Sequence, residues 1–132
     1  MIGVDSNVLV RIFAEDDAKQ HKAAQQFLRR RSSDDPAFVS AVVVAEVCWV
    51  LDRSYGFTLA AICSALEWLF ESTNVVIENH VLVSTAVATA AANNADIPDS
   101  IIAALAADAG ATSTVTFDQP AAKRVPGMEL LK

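Results

Sequence analysis

Residues 1–10 read MIGVDSNVLV. A short β-like run, MIGV, ends in one carboxylate, Asp5. Ser6 and Asn7, both helix-start residues, then lead into a second apolar stretch. A strand that passes directly into a helix predicts the first unit of an α/β fold. The charge wedged between two apolar runs has two readings: a cap for the first helix, or the first member of a site.

The same alternation continues along the chain. Helices are expected over 8–14 and 17–31, the second with His21, Ala24, Phe27 and Leu28 on one face. SSDDP (32–36) is a loop, because Pro36 disfavours helix at Asp35. AFV (37–39) is the second strand. Ser40 caps a helix to about residue 53, closed by Tyr55-Gly56, and Thr58 caps another to about residue 71. NVVI (74–77) is a third strand, apolar enough for burial on both faces. Helices follow over 80–94 and 96–109, the first ended by Asn93-Asn94 and the second by Gly110. STVTF (113–117) is a fourth strand and MELL (128–131) a fifth at an edge. Strands alternating with helices predict an α/β fold: a central parallel sheet of four to five short strands flanked by helices, in a single domain over 1–132.

Composition narrows the class. A chain of 132 residues that is 53% hydrophobic and 20% charged is expected to fold. The longest apolar run, AVVVAEVCWVL (41–51), is shorter than the roughly 18 residues of a membrane span and carries Glu46 in its middle. No basic segment followed by an apolar stretch and cleavage site opens the sequence, so the expected location is cytoplasmic. The two cysteines, Cys48 and Cys63, have no ligand-like spacing and read as core. His21 and His80 are isolated. The net charge of −6 argues against a polyanion partner unless several of the 16 acids are committed to metal ions.

Four acids carry the chemistry. In open parallel sheets ligands bind beyond the carboxyl ends of the strands. Asp5 follows the first strand, Asp118 follows the fourth, and Asp99 opens the helix that leads into that fourth strand. All three are therefore expected on one rim. Glu46 has Val42, Val43, Trp49 and Val50 as its helical neighbours, and a carboxylate there needs a cation, a donor or exposure. It reads either as a ligand or as a seam residue bonded to an Arg. Asp96 and Asp99 form D-I-P-D, the pattern of a helix cap with an acid three residues on. Clustered carboxylates repel unless a cation compensates. Oxygen ligands without His or Cys favour Mg²⁺ or Mn²⁺, ions suited to phosphoryl chemistry.

With these residues in place, the chain resembles the PIN-domain family, and more narrowly its VapC-type toxin ribonucleases. VDSNVLV (4–10) is similar to the family's opening block, VSAVVVAEVCWVLDRSYG (39–56) to its second, and DIPDSIIAALAADAGATSTVTFD (96–118) to its third. The resemblance covers essentially the whole chain. One departure is Pro98, which stands where the family more often has a small residue. The resemblance implies a toxin that cleaves RNA endonucleolytically with Mg²⁺ or Mn²⁺. Asp5, Glu46, Asp99 and Asp118 would be the metal-binding and catalytic acids, with Asp96 as a further candidate ligand. Ser6, Asn7 and Thr116 would be hydrogen-bonding partners that hold the carboxylates. It further implies a homodimer and a small antitoxin protein whose tail reaches the active site.

Basic charge for RNA is thinly spread. Arg29-Arg30-Arg31 is the one run of three and reads as a solvated helix end. The helices bearing Trp49 and Trp68 offer partner surface, although core packing is the simpler reading of both tryptophans. A competing function is a non-enzymatic receiver-like signalling or binding module on a similar sheet. It would need an acceptor Asp after the central strand, where NVVIENH offers Glu78. A dehalogenase-like phosphatase would need D-x-D at the first strand, and Asn7 occupies the second position.

Overall fold

Caps decide where the helices begin. In the computed structural model, which describes residues 1–132, Asp5, Asp17, Ser40, Thr58, Asp96 and Asp118 each sit in extended backbone before a helix. Each side chain accepts a hydrogen bond from a first-turn N–H that has no partner within its helix. The chain divides into two compact units, Met1–His80 and Val81–Lys132.

In the first unit the order is β1 (Ile2–Gly3), α1 (Ser6–Phe13), α2 (Ala18–Arg29), β2 (Ala37–Val39), α3 (Ala41–Tyr55), α4 (Leu59–Glu71) and β3 (Val75–Ile77). The three strands form one parallel sheet in the order β1-β2-β3, with Ile2 opposite Ala37 and Ala37 opposite Val75. Parallel pairing requires crossovers, which the helix pairs α1–α2 and α3–α4 supply. Leu9, Val39, Val44, Val47, Leu51 and Leu66 are fully buried and form the centre of this core. The α3 helix ends on Gly56, whose φ of +66° is the left-handed conformation that glycine adopts without steric cost.

The second unit runs α5 (His80–Asn93), α6 (Ile97–Asp108), β4 (Thr114–Thr116), α7 (Gln119–Arg124) and β5 (Met128–Leu130). Here β4 and β5 pair in parallel, Thr114 opposite Met128, as a two-stranded sheet. Helices flanking parallel sheets make the class α/β, as the alternation predicts. The strands are distributed differently from the single sheet of four to five expected: three in one sheet and two in another. Strands of two or three residues carry few ladder bonds each. Closing the short β4–α7–β5 connection also costs little chain entropy. Helix α7 was not anticipated, although Asp118 followed by Pro120 is a cap with proline in the first turn.

Three further expectations are corrected. NVVI is not buried on both faces: β3 is an edge strand, and Val76 is 42% exposed. Trp49 and Trp68 are not core residues, being 53% and 51% exposed. Helix α3 is apolar on nearly every side, and Ala41, Val44, Val47, Cys48 and Leu51 take the inner face, which leaves Val42 and Trp49 outside. Trp49 lies beneath the Arg53 guanidinium, and Trp68 forms a T-shaped pair with Phe13, ring centroids 5.8 Å apart. Nor is the arginine run wholly solvated. Arg31 packs over the Phe27 ring and bonds Asp35 at 2.7 Å. Cys48 and Cys63 are both buried. No helix is long and apolar enough to cross a membrane.

Inner and outer faces of α3 give a direct test. Leu51→Ala should lower the unfolding free energy by about 2–5 kcal/mol. Trp49→Ala should cost about 1 kcal/mol or less, mostly its contact with Arg53. Urea unfolding of both variants checks the pair, and equal losses would place Trp49 in the core.

Candidate active site

At the carboxyl end of the first sheet, three side chains follow the three strands. Asp5 follows β1 by way of Val4, whose N–H extends the ladder to Phe38 O at 2.9 Å. Its carboxylate is exposed. Oδ1 accepts from Ser6 N at 2.8 Å and lies 3.5 Å from Ser6 Oγ, while Oδ2 has no partner in the chain. Ser40 follows β2 and caps α3. Glu78 follows β3, and its Oε1 accepts from Ala41 N at 2.9 Å, a second acceptor at the start of α3. A receiver-like module has no acceptor Asp here: the central strand β2 is followed by Ser40, and Glu78 is occupied at the edge.

Glu46 lies one and a half turns into α3, on the outward side with Val42 and Trp49. It makes no hydrogen bond or ion pair, so the seam reading, a Glu bonded to an Arg, does not describe it. Exposure removes the cost of burying its charge. Asn7 is exposed and makes no hydrogen bond to Asp5, whereas Ser6 is buried beneath it.

A groove of about 710 Å³ runs between α1 and α2. Asp5 stands at its head, with Asn7 and Arg11 on the α1 wall and Gln20 and Phe27 on the α2 wall. Arg11 is the centre of a network that sequence reading missed. Its Nε donates to Gln20 Oε1 at 2.6 Å, and Nη1 donates to Asp16 Oδ1 at 2.8 Å and to the Tyr55 hydroxyl at 2.9 Å. Tyr55 in turn donates to Asp16 Oδ2 at 2.6 Å. The Tyr55 hydrogen bond and the Arg11 charge hold the Asp16 carboxyl below its usual range. The hydrogen bond to Asp16 pushes the Tyr55 phenol up. No motif marks such a cluster, since residues 11, 16, 20 and 55 meet only after folding.

In the second unit, Asp96 caps α6 through Oδ2 to Asp99 N at 3.0 Å, and Ser100 Oγ donates to Asp96 O at 2.8 Å. Asp118 caps α7 through Oδ1 to Ala121 N at 3.0 Å. Thr116 Oγ1 accepts from Asp118 N at 3.0 Å, so Thr116 orients the backbone of this acid and does not touch its carboxylate. Asp99 occupies the third position of α6, half-buried, with its carboxyl in hydrogen-bonding contact with that of Asp96. Its pKa is pushed up to about 6, first by burial and then by the charges of Asp96 and Asp118. The Asp99 carboxyl therefore lies within the field of both Asp96 and Asp118. Neither unit by itself gathers three acids, histidines or cysteines into a metal-holding cluster.

A family model described as the PIN domain matches residues 2–127. The chain belongs to the PIN-domain family. The match runs from the strand before Asp5 through Asp118 to the residue before β5, so Asp5, Glu46, Asp99 and Asp118 all fall inside it. Among solved structures, the Mycobacterium tuberculosis toxin VapC20, which cleaves the sarcin–ricin loop, is similar at 20% identity. That similarity covers 93% of this chain and 94% of the toxin, with a TM-score of 0.47. A comparison with curated proteins finds no match.

The raised pKa of Asp99 fixes a sign for stability. Its folded value of about 6 exceeds the ordinary 3.8. Between those values the folded chain holds a proton that the unfolded chain has lost. The cost of the charge is absent at low pH and complete above pH 6. Asp99→Asn should therefore melt higher than the parent at neutral pH in chelator, with the advantage shrinking as pH falls from 6 toward 4. Differential scanning calorimetry across that range checks it; a constant offset would contradict the shift.

Proposed function

We propose that this PIN domain is the toxin of a toxin–antitoxin pair, a Mg²⁺- or Mn²⁺-dependent endoribonuclease. The observation that carries the reading is the PIN-domain match over residues 2–127, which takes in Asp5, Glu46, Asp99 and Asp118, with the Asp99 carboxyl crowded by two neighbouring acids. Acids placed so that their charges oppose one another are stabilised by a cation. The donor set suits a hard ion. Glu46 accepts no hydrogen bond, Asp99 contacts only the neighbouring Asp96 carboxyl, and Asp5 and Asp118 each keep one oxygen unused beside the one that caps a helix. Only carboxylate oxygens are on offer, which favours Mg²⁺ or Mn²⁺ over zinc.

Asp5, Glu46, Asp99 and Asp118 are the acids assigned to hold metal for the reaction, with Asp96 contributing mainly through its charge. A bound divalent ion supplies activation of water and neutralisation of charge on the phosphate. The protein's part is orientation. The cap to Ser6 N fixes the Asp5 carboxylate at the end of β1. Thr116 and the α7 cap do the same for Asp118. Residues 1–132 act as a single nuclease domain in this reading, supported by a family match that spans both units.

The partners are an RNA substrate, a small antitoxin protein and a second copy of the chain, in the cytoplasm. The exposed apolar side chains Val42 and Trp49 provide surface for a protein partner. Asp5→Asn is the informative variant, because Asn caps a helix as well as Asp does and the fold is retained. End-labelled RNA should be cut in Mg²⁺ or Mn²⁺ and left intact in EDTA. Asp5→Asn should lower the rate by more than about 100-fold, beyond what losing an outer partner costs. Cleavage that survives both chelator and substitution would overturn the proposal.

A further inference from the structure

We infer that Arg11 binds a backbone phosphate of the RNA strand in the α1–α2 groove headed by Asp5. The inference rests on the ribonuclease reading and extends it to how the strand is held.

Three observations support it. Arg11 is the only cation lining this groove. Lys19, Lys22, Arg29 and Arg30 are exposed elsewhere on α2 and its end, Arg31 is tied to Asp35, and Arg53 covers Trp49. Second, the guanidinium is immobilised before any ligand arrives. Gln20, Asp16 and Tyr55 take Nε and Nη1, and Nη2 is left without a partner in the chain. A planar fork held on one edge is a preorganised donor for a phosphate oxygen on the other. Third, the side chain keeps 28% of its surface exposed although it is committed to three partners.

Position specifies which phosphate. Six residues along α1 separate Arg11 from Asp5, about 9 Å of helix axis. Arg11 therefore reaches a flanking phosphate and not the one being cut. Asp16 offsets much of the local charge, and Asp17 lies close enough to act on Arg11 as well. The residue accordingly serves as an aimed hydrogen-bond donor more than as a long-range attractor. Phe27, on the opposite wall, offers an aromatic surface beside the same groove.

The test uses the full chain in EDTA, where no cleavage is expected, and fluorescence anisotropy of labelled single-stranded RNA over a range of salt. Arg11→Gln should weaken binding about 10-fold and to the same degree for RNAs of unrelated sequence. The slope of log affinity against log salt should fall by about 0.7. Arg11→Lys should restore the slope but only part of the affinity, since an ammonium lacks the fork. Tyr55→Phe removes two hydrogen bonds and no charge, and should weaken binding about threefold with the slope unchanged. Melting curves establish that each variant is folded.

A folded Arg11→Gln with parental affinity and slope overturns the inference, as does a loss confined to one RNA sequence. If that variant does not fold, parental affinity in both Arg11→Lys and Tyr55→Phe overturns it. Cleavage in Mg²⁺ is scored separately. A protein that binds RNA with the Arg11-dependent slope yet never cuts it overturns the nuclease reading and upholds the contact. One that cuts while Arg11→Gln matches it in KM and slope overturns the contact alone.

Discussion

The 2.8 Å hydrogen bond from Ser6 N to Asp5 Oδ1 stands where the chain stops being strand and becomes helix. Everything at the carboxyl end of the first sheet is arranged around that change of direction. The ladder from Ile2 to Val4 brings the acid to the rim, and the cap starts α1 there. Helix α1 then carries Arg11 back along the groove. A carboxylate at a helix N-terminus is favoured by the dipole, so the charge at this position is tolerated by the fold.

Cap and ligand are therefore compatible roles for these acids. Asp5, Asp96 and Asp118 all cap helices, which makes the plainer structural reading true of each. In Asp5 and Asp118 a single carboxylate oxygen is used for the cap, and the other has no partner in the chain. Capping holds the carboxylate still, which a metal ligand also requires. Glu46 and Asp99 are different. Neither caps a helix, and Asp99 has its charge opposed by burial and by its neighbours. An exposed Glu46 and an Asp99 in the first turn of α6 are each tolerated by local structure, so the feature that goes beyond a set of helix starts is the crowding of Asp99 by Asp96 and Asp118.

Much of this was legible in the residues because it depends on short-range signals. Ser40, Thr58 and Asp96 announce helix starts, Gly56 and Asn94 mark helix ends with left-handed backbone, and Asp5 and Asp118 close strands. The errors lie where many weak preferences compete. An α3 helix apolar on nearly all sides does not say which side turns inward. Ala41, Val44, Val47, Cys48 and Leu51 fill the inner face, and Trp49 is left outside. Strands of two or three residues carry too little pattern to name their partners, so the division into sheets of three and two was not readable. The Arg11 network escaped because its members are distant in sequence and individually ordinary.

The sequence by itself determined the order of elements, the positions of the caps, and the placing of acids at strand ends and helix starts. Those features follow from backbone chemistry within four or five residues of each site. Only the tertiary structure decided which strands pair, that Glu46 faces outward, that Arg11 is pinned by Asp16, Gln20 and Tyr55, and that Asp99 is crowded into a raised pKa. Each of those depends on burial and on charges brought together across many residues, quantities that exist only once the chain has packed.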